Sequence, residues 1–113
     1  MQIRVFGIHT CETCRKARKW LSERDLDHEW VDIRATPPGQ ELVTGWVDAL
    51  GSKPLRNTSG RSYRALGPEK KTWDDARWAE AFASDPMLLK RPVIEIDGKA
   101  VMAGFRDPEA LGL

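Results

Sequence analysis

The sequence has little excess charge, no long apolar run and only two cysteines, and each shortage narrows what the chain can be. Eighteen Lys and Arg face seventeen Asp and Glu, a formal charge of +1, and no long run of one sign is present to act as a nucleic-acid tail. Duplex binding as the main task, and direct nucleic-acid contact generally, are not expected. No stretch approaches the roughly 18 apolar residues of a spanning helix, so no membrane partner is expected either. The opening Met1-Gln2-Ile3-Arg4 enters a short apolar run that soon meets His9 and Cys11. It lacks the longer apolar core and small-residue cleavage site of a signal peptide, which makes a cytoplasmic location the default expectation. Internal repeats, linkers and low-complexity segments are also absent. At 113 residues the chain is expected to form one domain over 1–113 that buries about two thirds of its unfolded-chain surface. That excludes barrels of βα units and two-domain enzymes. A bridge between Cys11 and Cys14 would close so short a loop that it could constrain the unfolded chain very little. If the pair matters, it matters chemically.

What is present points to an ordered α/β fold. An apolar fraction of 41% with five tryptophans is too rich for a disordered chain. Ile3 to Ile8 is an apolar, β-branched run that reads as a strand. From about Glu12 to Arg24, Cys14, Ala17 and Leu21 share one helical stripe with Trp20 beside it, while Arg15, Lys16, Arg18 and Lys19 cover the solvated face. His28 to Ile33 reads as a second strand, and Thr36-Pro37-Pro38-Gly39 breaks the chain. Together these segments make a βαβ unit. Helices are expected over Gln40 to Leu50, Ser62 to Leu66 and Trp73 to Ala83, forming a helical insertion at about 38–88. Val93 to Ile96, the turn signal Asp97-Gly98 and Ala100 to Phe105 read as a β-hairpin. Asp107-Pro108 supplies an N-cap and a first-turn proline for a last short helix.

Cys11-Glu12-Thr13-Cys14 lies between a strand and a helix inside a βαβ pattern, the setting in which two cysteines three apart read as a redox pair. If the helix starts just after Cys11, that sulfur faces unpaired backbone N–H groups and the positive end of the helix dipole, which favours thiolate. Cys11 is then the nucleophile. Cys14, on the apolar stripe, is the buried resolving thiol. Within a regular helix the two Cβ atoms would be about 5 to 6 Å apart, too far for a disulfide, so Cys11 belongs at the cap. The Glu12 charge works against the thiolate. Two rival readings stand beside this one. His9, Cys11, Cys14 and His28 contain donor types for zinc, but their spacing lacks a second matched ligand pair, so no metal is expected. Both cysteines could also be inert core residues. In Lys90-Arg91-Pro92, the proline opens a strand and is a candidate cis peptide packing on the redox loop. Arg91 is placed to stabilise the Cys11 thiolate or to grip a carboxylate or oxyanion. Arg56, Arg61 and Arg64 form a second basic group around Asn57-Thr58-Ser59-Gly60, a loop with several donors.

The residues so far resemble the family that unites ArsC-type arsenate reductases, Spx-type transcription regulators and YffB-like proteins. The likeness runs end to end. It rests on Val5-Phe6-Gly7-Ile8, on Cys11-Glu12-Thr13-Cys14-Arg15-Lys16-Ala17-Arg18 with Trp20-Leu21, on Leu55-Arg56-Asn57 to Tyr63-Arg64, on Pro86 to Pro92, and on Gly104-Phe105. It implies an α/β thioredoxin-like (glutaredoxin-like) fold, βαβ plus a C-terminal ββα, with a helical insertion, and Cys11 as the catalytic thiol. Arsenate reductases of this type are expected to hold the oxyanion with three arginines, and Arg91 matches one. The first falls on Asn57, where Arg56 or Arg61 could substitute. The last falls near Met102 to Gly104, where no arginine stands, which makes arsenate a poor first choice. Cys14 resembles the redox switch of Spx-type regulators, which contact the RNA polymerase α subunit, and Arg15-Lys16-Ala17 also occurs there. The Asn57 and Gly60 loop with Gly104-Phe105 looks closer to the YffB-like group. The resulting expectation is a small cytoplasmic thiol-disulfide oxidoreductase with no tightly bound cofactor and with glutathione or another thiol as reductant. Cys11, Cys14 and Arg91 are its catalytic candidates, and Arg91, Pro92, Asn57, Arg61 and Arg15 its substrate-binding candidates. The alternatives are a redox-sensing regulator and an arsenate reductase.

Overall fold

Alternation along the first strand decides the layout of the molecule. In the computed structural model, which describes residues 1–113, β1 (Ile3–Gly7) is followed by α1 (Glu12–Glu23), β2 (Glu29–Asp32), α2 (Gln40–Leu50), α3 (Arg61–Arg64), α4 (Asp75–Ser84), β3 (Val93–Ile96) and β4 (Lys99–Ala103). Short 3-10 segments lie at Lys53–Leu55, Pro68–Thr72, Pro86–Leu88 and Pro108–Leu111. The strands form one sheet in the order β2-β1-β3-β4, with β1 parallel to β2 and antiparallel to β3, and β3 antiparallel to β4. This is the thioredoxin-like arrangement, with α2, α3 and α4 inserted between β2 and β3. No helix is long and apolar enough to cross a membrane.

Successive side chains of a strand face opposite ways. Ile3 and Val5 therefore pack with Ala17 and Leu21 of α1, Ile94 of β3 and Leu111 of the last turn. Phe6 faces the other side, where Val93 and Ala100 meet Val43, Trp46 and Val47 of α2 and Trp78 and Phe82 of α4. The Phe6 and Trp46 rings meet edge to face with centroids 4.9 Å apart, a favoured aromatic geometry.

Several boundaries differ from the sequence expectation, each for a local reason. The Asp74 carboxylate accepts the Arg77 N–H at 2.8 Å, so Asp74 caps α4 and Trp73 lies outside it. β4 stops at Ala103 because Gly104 takes a positive φ of 78°. The expected final helix is only the 3-10 turn Pro108–Leu111, and the Asp107 side chain makes no capping hydrogen bond.

One buried charge fastens the insertion to the sheet. Arg4 and Glu95 are directly opposed on β1 and β3. Glu95 is 1% exposed. Its Oε1 accepts from Arg4 Nε at 2.9 Å and Nη2 at 2.7 Å, and its Oε2 accepts from Trp46 Nε1 of α2 at 2.7 Å. A carboxylate taken out of water persists only when its acceptors are filled in this way. Replacing Glu95 by Ala is expected to lower stability by about 3 kcal/mol, because a buried indole N–H and the arginine lose their acceptor. Trp46→Phe, which removes only the indole bond and a little volume, is expected to cost about 2 kcal/mol. Urea unfolding midpoints measure both. A Glu95→Ala midpoint equal to that of the unaltered protein would show that this carboxylate does not hold α2 in place.

Candidate functional site

The first helix begins on a sulfur. After β1 the chain turns, with the Cys11 N–H donating to the Ile8 carbonyl at 3.2 Å. Cys11 is the N-cap of α1, with extended backbone at φ −85° and ψ 116°, and its Sγ accepts the Cys14 N–H at 3.4 Å. The sulfur occupies the place usually held by a Ser, Thr or Asp oxygen, where it satisfies one of the unpaired donors of the first turn. Both cysteines are free thiols; Cys11 is half-buried and Cys14 is 1% exposed. Gly7 makes room for Cys14, since a Cβ at position 7 would collide with the Cys14 sulfur and come within 3.0 Å of the Trp30 ring.

The two thiols are driven apart in acidity. Burial works to raise the Cys11 thiol, but it is outweighed by hydrogen bonds from the Cys14 side chain and backbone, by the Arg91 charge and by the Thr13 backbone, so Cys11 ends below the ordinary thiol value. Cys14 is pushed up to about 12, first by burial and then by its hydrogen bond to Cys11 and the Cys11 charge, with the Ile8 backbone and Arg91 opposing. Glu12 is exposed, so water screens the charge that was expected to oppose the thiolate. The thiol that faces solvent is thus the one that ionises first. Such a pair can supply an attacking thiolate and hold a second thiol in reserve.

Cys11 opens onto a cavity of about 400 Å³ whose walls come from three distant segments. Arg56 and Leu89 form an isolated antiparallel bridge, flanked by the Asn57 N–H donating to Leu88 at 2.9 Å and the Lys90 N–H donating to Leu55 at 2.8 Å. That pairing sets Asn57 and Ser59 beside Lys90 and Arg91 on the cavity wall. The third segment follows β4. The Gly104 N–H donates to the Pro92 carbonyl at 2.8 Å, and Gly104, Phe105 and Arg106 complete the lining. The Arg91–Pro92 peptide is cis. Arg91 Nη1 donates to the carbonyls of Leu89 at 3.1 Å and Met87 at 3.3 Å, while its Nε is buried without a partner.

Of the residues singled out in the sequence, Cys11, Asn57 and Arg91 line the cavity. Cys14 and Pro92 are buried outside its lining. Arg15 and Arg61 are exposed and outside it. Arg56 lies over the Trp78 ring at 4.5 Å and donates to Ser52 Oγ at 2.7 Å, so its guanidinium is engaged elsewhere. His9 contacts Asp32 at 3.3 Å, and His28 Nδ1 lies 3.0 Å from the Leu26 carbonyl. No group of three or more His, Cys, Asp or Glu is placed to hold a metal ion. Thr13, Ser59, Lys90 and Phe105 enter the sequence expectation only as members of longer motifs, and Arg106 enters none of them. Lys90 adjoins Arg91, and Arg106 stands two residues beyond the stretch Met102 to Gly104, so nearness in sequence to the expected cations is the signal that marks both.

Known proteins match the chain over nearly its whole length. The model of the ArsC family matches residues 6–112. The uncharacterized protein YusI of Bacillus subtilis (strain 168) is 34% identical, covering 96% of this chain and 95% of that protein. The global transcriptional regulator Spx of Streptococcus agalactiae is 28% identical over 95% of this chain and 79% of its own. Among solved structures, one described as a possible arsenate reductase from Streptococcus mutans UA159 superposes with a TM-score of 0.88 and is 35% identical, covering 99% of this chain and 98% of the other. A match spanning nearly every residue, the cysteine cap and the cavity walls included, places this chain in the ArsC family.

Proposed function

We propose that the protein is a cytoplasmic thiol-disulfide oxidoreductase in which Cys11 attacks, Cys14 resolves, and glutathione or another small thiol is the final reductant. The observation that carries this reading is Cys11 capping α1 at the mouth of a cavity that contains Arg91, an arrangement that favours its thiolate. In the first step the Cys11 thiolate attacks one sulfur of a substrate disulfide, a Cys11–substrate bond forms, and the other half leaves as a thiolate. Two of the influences that raise Cys14, its hydrogen bond to Cys11 and the Cys11 charge, disappear when Cys11 is in that adduct. Cys14 then gives up its proton and attacks Cys11 Sγ, releasing the bound half as a thiol. An external thiol reduces the resulting Cys11–Cys14 disulfide. Arg91 steadies the thiolate and draws an anionic group toward it.

A second reading is favoured by the relatedness to Spx proteins, which are named as transcriptional regulators. In that reading the same thiol pair senses redox state, and the resemblance implies the RNA polymerase α subunit as partner. The arsenate reading has less support. Asn57 and the stretch Met102 to Gly104 fall where two of the three expected arginines would be, although Arg106 adds a cation to the cavity.

Cys11→Ser is expected to abolish turnover of disulfide substrates, whereas Cys14→Ser should form one mixed disulfide per chain and stall until an external thiol is added. Intact-mass measurement after exposure to glutathione disulfide distinguishes these states. A Cys11→Ser protein that still forms the adduct would reverse the two roles. Pull-down with purified polymerase α subunit tests the regulator. Capture in one redox state, together with no disulfide turnover, would replace the enzyme reading.

A further inference from the structure

Arg91 is anchored by a short turn that precedes it in the chain. From Asp85 to Leu89 every carbonyl has a partner, and the pairing decides which of them face the arginine. The Asp85 carbonyl accepts the Leu88 N–H at 3.0 Å, the Pro86 carbonyl accepts the Leu89 N–H at 3.1 Å, and the Leu88 carbonyl accepts the Asn57 N–H at 2.9 Å. The carbonyls of Met87 and Leu89 are left, and both accept from Arg91 Nη1, at 3.3 and 3.1 Å. Met87 Sδ lies 4.0 Å from the same nitrogen. Backbone acceptors covered by protein need a donor, and here one guanidinium nitrogen serves two of them.

That turn, the 3-10 segment Pro86–Leu88, is too short to hold its own shape, and Pro86 brings no N–H to it. Asp85 closes it. The Asp85 backbone is extended, with φ −139° and ψ 92°, and its Oδ1 accepts the Met87 N–H at 3.0 Å, the bond by which a short carboxylate opens a turn. The Asp85 carbonyl meanwhile takes the Leu88 N–H, which shares a peptide plane with the Met87 carbonyl. Side chain and backbone of one residue thus fix two successive planes of the turn. The Asp85 N–H donates to the Ala81 carbonyl at 2.8 Å, so the same residue ends α4. Its charge has no other use: the salt bridges Arg4–Glu95, His9–Asp32 and Arg77–Glu80 leave it out.

We propose that Asp85 is a positioning residue for Arg91: by pinning the turn Pro86–Leu88 it aims the carbonyls of Met87 and Leu89 at Nη1 and keeps the guanidinium at the cavity onto which Cys11 opens. This deepens the oxidoreductase reading and rests on the part of it in which Arg91 steadies the Cys11 thiolate. Arg91 Nε is buried without a partner, so the contacts at Nη1 are what locates the group. An arginine has several free torsions and gives them up only where its fork is held. Without the Asp85 acceptor the turn can rotate, the two carbonyls no longer converge, and the guanidinium spends more of its time in water, where its charge is screened. Cys14 and the Thr13 backbone act on Cys11 from α1 and Arg91 from the segment before β3, while Lys90 and Arg106 line the cavity and no carboxylate does. The sign of the effect therefore separates two roles for Asp85. A carboxylate acting directly on the sulfur would hinder the thiolate, so its removal would help; removal of an anchor for Arg91 hinders.

The test is the rate at which iodoacetamide, a neutral reagent, labels Cys11 in the reduced protein, followed by peptide mass mapping across pH. Asp85→Ala is expected to slow labelling at about pH 6 by about three- to fivefold, the scale of one partly exposed charge contact, without lowering the rate at about pH 10, where Cys11 is ionised in every variant. Asp85→Asn keeps the acceptor without the charge and should label like the unaltered protein. Asp85→Glu keeps the charge but moves the acceptor; it should label like Asp85→Ala, and it carries the test if Asp85→Ala does not fold. In an Arg91→Ala background the Asp85 substitutions should add nothing. Unchanged labelling of Asp85→Ala and Asp85→Glu, slowing by Asp85→Asn equal to theirs, equal loss at both pH values, or the same loss on top of Arg91→Ala would overturn the positioning role while leaving Arg91 its own. An Arg91→Ala protein that labels at about pH 6 as fast as the unaltered one would overturn the thiolate role of Arg91, and the positioning role with it.

Discussion

The hydrogen bond from the Cys14 N–H to Cys11 Sγ is the contact on which the chemistry of this molecule rests. A helix must satisfy its first donors, and here the group that does so is a thiol. The requirement of the helix and the requirement of a reactive sulfur are met by one atom. Negative charge on Cys11 improves the cap, because the first turn offers N–H groups and the positive end of the dipole. In the proposed mechanism the same contact sets the order of events at the pair. Cys14, one turn inside and buried beside Gly7 of β1, is held protonated first by that burial and then by its contact with Cys11 and the Cys11 charge.

The rest of the fold brings groups to that sulfur. β1 delivers the Cys11 loop at one end of the sheet, and β3, its antiparallel neighbour, begins next to Arg91–Pro92. The insertion contributes Asn57 and Ser59 only because the Arg56–Leu89 bridge ties its first part to the segment before β3. Glu95 and Trp46 hold α2 on the same face of the sheet. Elements distant in sequence thus converge on one cavity through a few backbone pairings. The side chains at its rim can vary without disturbing the core, which fits a family whose members include proteins named as a regulator and described as a reductase.

Much of this was legible in the residues. α2 spans Gln40–Leu50 as its apolar spacing implies, since Gly39 and Gly51 bracket it. Val93 to Ile96 lies between a proline and the Asp97-Gly98 turn and keeps those bounds. Cys11 at the cap follows from its place after an apolar strand. The elements that shifted did so where a single local bond decides the boundary, as with Asp74 at α4, or where backbone conformation does, as with Gly104 after β4. The cavity was harder to read because its walls depend on tertiary pairing. Arg91 stood out through its proline neighbour. Lys90 joins the wall with its stem across the bare backbone of Gly104, and that approach leaves no periodic trace. Arg15 and Arg61, expected at the site from the family resemblance, stand on α1 and α3 outside the lining.

The central claim is that the two thiols differ in acidity because one caps the helix and the other is buried behind it. Ultraviolet absorbance of the thiolate, followed against pH in the unaltered reduced protein and in each Cys→Ser variant, tests it directly. The expected result is a first ionisation below the free-thiol value of about 8.5 that is lost in Cys11→Ser, with the second thiol remaining protonated until strongly alkaline pH. A first ionisation that persists in Cys11→Ser, or two thiols that titrate together near the free value, would contradict the account.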